Sequence, residues 1–237
     1  MSRRLWIADE VSGNRAAITG EHARHLTQVL RAQVGQECEV STGSEVRRAR
    51  VSSVGRTRVE FELGEPVRSA AESAITVALS VFKFDRTEWA IEKSTELGVD
   101  RIIPLIAART ETHLASAVPK RRERWRRIAA AAAEQSRRVS PPEISDAVRL
   151  KDFLAFPAAT RVALAEGEPT LMLEKALAEG ANPVLLAFGP EGGWADQELV
   201  AFRNSSWTLA SLGPMILRAE TAVVAAIAIA TATLRRG

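Results

Sequence analysis

The chain has 237 residues, 46% of them hydrophobic, and a formal charge of only +3 at pH 7, which excludes global disorder and allows one large domain or a small and a medium one. The single cysteine, Cys38, excludes an intrachain disulfide framework and a cysteine-rich metal site, and it fits a reducing cytoplasm. No basic-then-apolar leader opens the sequence, and its longest uncharged stretch, residues 221–234, is too short and too alanine-rich to span a bilayer, so the expectation is a soluble cytoplasmic protein with no membrane partner.

Residues 1–70 alternate short β-type runs with turns: Leu5-Trp6-Ile7, Ala16-Ala17-Ile18, Glu37 to Val40, Ala49-Arg50-Val51 and Arg58 to Leu63, punctuated by glycines. One helical interruption, Glu21 to Leu30, carries His25, Leu26, Val29 and Leu30 on one face. This pattern predicts a small β-barrel with an inserted helix. The polar stretch over residues 66–73 marks a boundary, giving domains over 1–70 and 71–237. Beyond it, apolar strands alternate with amphipathic helices. Strands are expected over Ile75–Val81, Arg101–Ile106, Arg161–Ala165, Val184–Phe188 and Trp207–Leu212, and helices over Glu88–Leu97, Arg121–Arg137, Thr170–Ala178, Asp196–Phe202 and Glu220–Leu234. Nearly continuous apolar strands between helices define an α/β fold with a mostly parallel sheet covered on both faces.

The basic residues are mainly arginine, with only five lysines. Lys120 to Arg138 holds eight basic residues against Glu123 and Glu134, a local net of +6, so the rest of the chain sums to −3. Such a run is either a polyanion-binding face or a solvated helix surface. His22, His25 and His113 lack a third ligand at metal spacing, so no metal site is expected, and His25 reads as part of a packed helix face. Of the five tryptophans, four read as core or interface, and Trp125, inside the basic run, is a candidate for stacking on RNA.

Two loops carry the chemistry. Gly189-Pro190-Glu191-Gly192-Gly193-Trp194 follows a strand and precedes a helix, where backbone N–H groups can approach a ligand. Leu212-Gly213-Pro214-Met215-Ile216-Leu217-Arg218-Ala219-Glu220-Thr221 follows the next strand. In a parallel sheet both loops leave at the same edge, where ligands bind. No Gly-Lys-Ser/Thr and no Gly-x-Gly-x-x-Gly is present in the first, so nucleoside triphosphate and dinucleotide readings lose support. Taken alone, the Gly192-Gly193 pair reads first as a plain turn that needs positive φ.

In order along the chain stand His25-Leu26-x-x-Val29-Leu30-Arg31 with Gly35; Lys83-x-x-Arg86-x-Glu88 with Lys93-x-Thr95-Glu96-Leu97-Gly98-Val99; Glu134-Gln135-Ser136-x-Arg138 with Pro142; Gly-Pro-Glu-Gly-Gly; and Leu-Gly-x-x-Ile-Leu-Arg-x-Glu-Thr-Ala. This succession resembles the uridine-N3 methyltransferases of small-subunit (16S) ribosomal RNA, the RsmE type within the SPOUT superfamily. The resemblance implies a PUA-like, RNA-binding β-barrel followed by a methyltransferase domain with a C-terminal trefoil knot. It also implies S-adenosylmethionine as cofactor, 16S rRNA within the small subunit as substrate, and a homodimer whose two subunits complete each site. The cofactor site it implies comprises Leu164 and Ala165; Gly189, Glu191, Gly192 and Gly193; and Leu212, Gly213, Met215, Ile216 and Leu217. The same loops also serve other RNA targets, such as 2′-O-methylation of tRNA, and a non-catalytic RNA-binding assembly factor could keep the fold; the barrel motif and the Lys83 to Val99 segment weigh for the uridine enzyme.

Methyl transfer to uracil N3 needs an aligned nitrogen freed of its proton, and negative charge then spreads to the flanking carbonyl oxygens. Arg218 is the candidate cation, and as an arginine, a residue type that stays protonated in proteins, it is not the base. Glu220, the second candidate catalytic residue, either orients Arg218 or caps the last helix. Glu191 either pins an arginine across the site or stabilises its loop, and the general base is not identified. Candidate RNA contacts are Arg24, Arg31, Lys83, Arg86, Lys93, Arg109, Arg137 and Arg138. Pro214-Met215 replaces a basic residue frequent in the family, and Ala195 replaces the hydroxyl half of a capping box with Glu198.

Overall fold

The computed structural model describes residues 5–69, 75–167, 171–178 and 180–234. Residues 70–73 of the expected boundary and Thr170, the expected start of a helix, lie outside these. The chain divides into two compact units, one formed by residues up to 72 together with Ala130–Pro141, the other by 73–129 and 142–237.

The first unit is a curled sheet of β1 (Trp6–Ile7), β2 (Glu10–Ser12), β3 (Arg15–Thr19), β4 (Glu37–Ser41), β5 (Glu45–Val54) and β6 (Arg58–Ser69), in the order β1-β4-β5-β6-β3-β2. Only the β1–β4 pair is parallel. Residues 6–12 close the barrel: Trp6 and Ile7 pair with β4, while the Asp9 N–H donates to Ala17 O at 2.9 Å and β2 pairs with β3. β2 escaped the sequence pattern because Glu10, Val11 and Ser12 are all exposed, so no alternation betrays it. On β6, Val59, Phe61 and Leu63 alternate into the core, as a half-buried strand requires. On β5 the buried residues are Val46, Ala49 and Val51, and the three-residue step is absorbed by a register shift between Arg47 and Ala49.

The inserted helix departs from expectation. α1 (Gly20–Arg24) continues into a π-helical turn, His25–Val29, and the Leu30 N–H donates to His25 O, five residues back, at 3.1 Å. That extra residue per turn rotates the expected face: Leu26 is buried, but His25 is exposed, as are Val29 at 63% and Leu30 at 44%. The His25 ring still lies 5.9 Å from that of Trp6.

The second unit is a seven-stranded sheet in which every described pair is parallel. Its strands are β7 (Ile75–Ser80), β8 (Arg101–Ile106), β9 (Glu143–Ile144), β10 (Val148–Arg149), β11 (Thr160–Leu164), β12 (Val184–Phe188) and β13 (Thr208–Ala210). The order is β10-β8-β7-β12-β11-β13, with β9 also on β8. The helices are α2 (Phe84–Glu96), α3 (Thr112–Gln135), α4 (Leu150–Phe153), α5 (Leu173–Ala178), α6 (Asp196–Asn204) and α7 (Ala219–Leu234). All five residues of β12 are buried and serve two cores. Val184, Leu186 and Phe188 pack with Ile91, Trp125 and Ile227, whereas Leu185 and Ala187 pack with Phe153, Trp194, Phe202 and Trp207. Strand alternation thus splits one apolar run between two layers.

Three local features differ from the sequence expectation. α3 starts at Thr112, with Pro119 inside it, rather than after the proline at Arg121. It stops at Gln135 because Arg137 adopts φ +61° and the Arg138 N–H donates to Ala133 O at 2.8 Å, a left-handed helix stop. Trp125 is fully buried, 6.3 Å from the Phe84 ring, so it is a core residue and not a stacking platform. Its side of α3 is amphipathic: arginines outward, indole inward. The end of α3 and the following residues complete the first unit, where the Leu5 N–H donates to Glu134 O at 3.0 Å and Arg137 pairs with Glu39 at 2.5 Å. Among the described residues no helix is long and apolar enough to cross a membrane.

Phe202 is fully buried against Trp194 and Trp207 at centroid distances of 4.8 and 5.2 Å, so Phe202→Ala is expected to cost about 3–5 kcal/mol in urea denaturation. Burial, reinforced by the Glu39 carboxylate, pushes the Cys38 thiol up to about 11. Its alkylation by iodoacetamide at pH 8 should therefore run about 100-fold slower than that of an unperturbed thiol and should accelerate as pH rises towards that value.

Candidate functional site

β12, β11 and β13 lie side by side and parallel, so the chain leaves all three at one edge of the sheet. Their loops enclose a cavity of about 580 Å³, within the range of small-molecule sites. Its wall includes Leu164 and Ala165 from the end of β11, Gly189 to Trp194 after β12, and Leu212, Gly213 and Met215 to Ala219 after β13. Every residue expected at the cofactor site lies on this wall, and so does Arg218. Sequence reasoning did not single out Glu166, Gly167, Leu199 or Ser211, which line it too.

The glycine loop is braced on several sides. The Trp194 indole N–H donates to Leu164 O at 2.8 Å, and a Cβ on Gly189 would come within 3.3 Å of that indole, so the turn admits only glycine without displacing the ring. Gly193 has φ +68°, a left-handed value that L side chains rarely adopt. The buried Glu198 carboxylate accepts from the Ala195 N–H at 2.9 Å and from the Ala108 N–H at 2.7 Å, tying the start of α6 to the loop after β8. One half of the capping box is therefore present despite Ala195, because that half needs only a backbone donor.

Three guanidinium groups border the cavity, and they differ in state. Arg86 on α2 donates to Glu191 Oε1 at 2.5 Å, and its Nε lies 3.8 Å from Glu220 Oε1. Arg109 donates to Gly192 O at 2.6 Å. Arg218 is exposed, and its side chain has no hydrogen-bond or ion-pair partner among the described residues. Glu220, in the first turn of α7, is not on the cavity wall; its side chain is 15% exposed and its Oε2 is buried with no partner among the described residues. Met215 and Ile216 stand 77% and 82% exposed on the loop.

The remaining candidate RNA contacts scatter. Lys83, Arg24 and Arg31 are exposed and show no side-chain partner among the described residues. Lys93 is held between Glu92 and Glu96 at 2.7 Å each, which raises its pKa. Arg137 is paired to Glu39, and Arg138 is half-buried. Much of the basic run on α3 is similarly engaged. Glu88 takes both Arg121 and Arg124, raising the pKa of Arg124, and Asp146 takes Arg122. Lys120 and Arg127 stand without an ion pair among the described residues. No group of three His, Cys, Asp or Glu side chains able to hold a metal ion occurs among them either.

The parallel α/β unit with its glycine-lined cavity and the curled, mostly antiparallel sheet correspond to the two domains of an RNA methyltransferase, as the match to family models shows. Residues 69–231 match the family model described as an RNA methyltransferase domain, and residues 18–64 that of an RNA methyltransferase PUA domain. The chain belongs to the ribosomal RNA small subunit methyltransferase E family. It is 34% identical to the Bacillus subtilis protein of that name over 89% of this chain and 87% of the relative, and 29% identical to the Rickettsia conorii one over 87% and 85%. The crystal structure of the Neisseria gonorrhoeae enzyme bound to S-adenosyl methionine is similar with a TM-score of 0.83, 27% identity and coverage of 95% of each chain.

Glu198→Gln leaves an amide NH₂ facing one of the two backbone donors. It is expected to cost about 1–3 kcal/mol, read as a lowered thermal unfolding midpoint, with the loop after β8 loosened in hydrogen exchange.

Proposed function

We propose that this protein transfers a methyl group from S-adenosylmethionine to N3 of a uridine in 16S rRNA of the small ribosomal subunit. Membership in the family supports the rRNA methyltransferase assignment, and the carrying observation is an unpaired arginine, Arg218, at a cavity walled by both glycine-bearing loops.

The cavity suits the cofactor. Its size, the positive φ at Gly193 and Gly213, and the tight approach of the Trp194 ring to Gly189 support glycine loops that bring backbone close to a ligand, beside the apolar Leu164, Leu212 and Leu217. Leu164, Ala165, Gly189, Gly192, Gly193, Leu212, Gly213 and Met215 to Leu217 would hold it. When bound, it supplies a methyl group on a positively charged sulfonium.

Arg218 acts on the base. Uracil N3 lies on the pairing edge, so the uridine must be unpaired or flipped out before it reaches the cavity. As N3 is freed of its proton, Arg218 stabilises the charge that spreads to O2 and O4. A guanidinium with no internal partner can be captured by the substrate without breaking an existing ion pair. Glu220 contributes at one remove, through Arg86. Lys83, Arg24 and Arg31 are free to meet phosphates, which sets affinity and its salt dependence, not the choice of base.

The course of the chain supports a knotted C-terminal part: it leaves β12, crosses β11 to reach β13 on the other side, and returns through α7, which packs on α2 and α5. The exposed Met215 and Ile216 on the cofactor loop fit a homodimer in which a second copy covers them. A cytoplasmic location follows from an rRNA substrate.

Arg218→Ala is expected to abolish 3-methyluridine formation on small subunits while calorimetry shows S-adenosylmethionine binding within about threefold of wild type. Full turnover by this variant would remove Arg218 from the mechanism. Mass spectrometry of rRNA from a strain lacking the gene should show the 3-methyluridine signal gone; an undiminished signal would refute the assignment.

A further inference from the structure

Arg86, in the Lys83-x-x-Arg86 motif, and Arg109 both read from sequence as candidate phosphate contacts, yet neither guanidinium is free. Both reach the same short loop from different elements. Arg86, on α2, donates to the Glu191 carboxylate at 2.5 Å, and Arg109, in the loop after β8, donates to the Gly192 carbonyl at 2.6 Å. Glu191 and Gly192 are consecutive, and the loop between the end of β12 and the start of α6 is rich in glycine, hence costly to order. Arg86 also lies 3.8 Å from Glu220 at the start of α7, so it links α2, the glycine loop and the helix that follows Arg218.

We infer that Arg86, seconded by Arg109, is a positioning residue that holds the glycine loop in its cofactor-receiving shape and is not an RNA contact. This rests on the S-adenosylmethionine reading of the cavity. A loop fixed before the ligand arrives spares the ordering cost at binding, so the clamp acts on cofactor affinity. The pair is about one-third exposed, at 30% for Arg86 and 33% for Glu191, so its contribution is moderate. Turning Arg86 out to a phosphate would leave Glu191 unpaired beside the cavity and Glu220 without its cationic neighbour. Lys83 and Arg218 carry no such internal obligation.

A double-mutant cycle tests this. Calorimetric titration with S-adenosylmethionine of the full-length protein should show Arg86→Gln and Glu191→Gln each weakening binding about three- to tenfold, with the double variant no weaker than either single one. Filter binding of a 16S rRNA fragment without cofactor should be unchanged within about twofold in Arg86→Gln. Hydrogen exchange at residues 189–194 without any ligand should be faster in Arg86→Gln than in wild type. Reduced RNA affinity with intact cofactor affinity, additive effects of the two substitutions, or unchanged loop protection would each overturn the inference. If the wild type failed to bind S-adenosylmethionine, the functional reading would fall, and the exchange experiment would still decide whether Arg86 clamps the loop.

Discussion

A parallel sheet delivers every strand to the same edge, and the site depends on that constraint. β12, β11 and β13 are neighbours across the sheet, although not in chain order, so their loops meet over one cavity. The sheet can be parallel because its strands are buried on both faces, and β12 shows how: its side chains alternate between a mixed apolar layer against α2, α3 and α7 and a layer built on Phe153, Trp194, Phe202 and Trp207. Trp194 belongs to both stories, since the indole that fills the second layer also fixes the glycine turn through Leu164 O.

Charge is organised less simply than its distribution in sequence suggests. The run from Lys120 to Arg138 carries a net of +6, but Glu88, Asp146 and Glu39 return from distant positions to pair with its arginines. Among the described residues the run keeps Lys120 and Arg127 without an ion pair, and outside it Lys83, Arg24, Arg31 and Arg218 also have no side-chain partner. Exposed pairs stabilise a fold little, so the pairing matters more for where a polyanion finds unspent charge than for stability.

Period and punctuation made the large elements legible. β8 and β12 match their expected bounds, and the glycine loops announced themselves because strand, glycines and helix occur in sequence there. What escaped was whatever lacked a period. β2 is exposed throughout; β9 and β10 have two residues each; the π-turn at His25–Val29 shifts a face that a helical period assigns wrongly. The cavity wall was legible to the extent that a resemblance marked its loops, and Glu191 had pinning an arginine among its readings; that Arg86 is that arginine and that Arg109 is held by the Gly192 carbonyl were not legible, because residue type shows that a cation is present but not what already holds it. The buried role of Glu198 had a signal, three residues after Ala195, though the missing hydroxyl argued against it.

The seam at residues 6–12 bears on how this protein can be handled. One short segment satisfies backbone donors on β4 and on β3 at once, and its own residues between those pairings bend across the gap. Were it pulled away, by truncation or by a bulky fusion at the N-terminus, β3 and β4 would each present a bare row of peptide groups, which is the template on which chains add to one another as strands. Residues 6–12 thus serve as the barrel's hem: they keep both edges of the curled sheet paired.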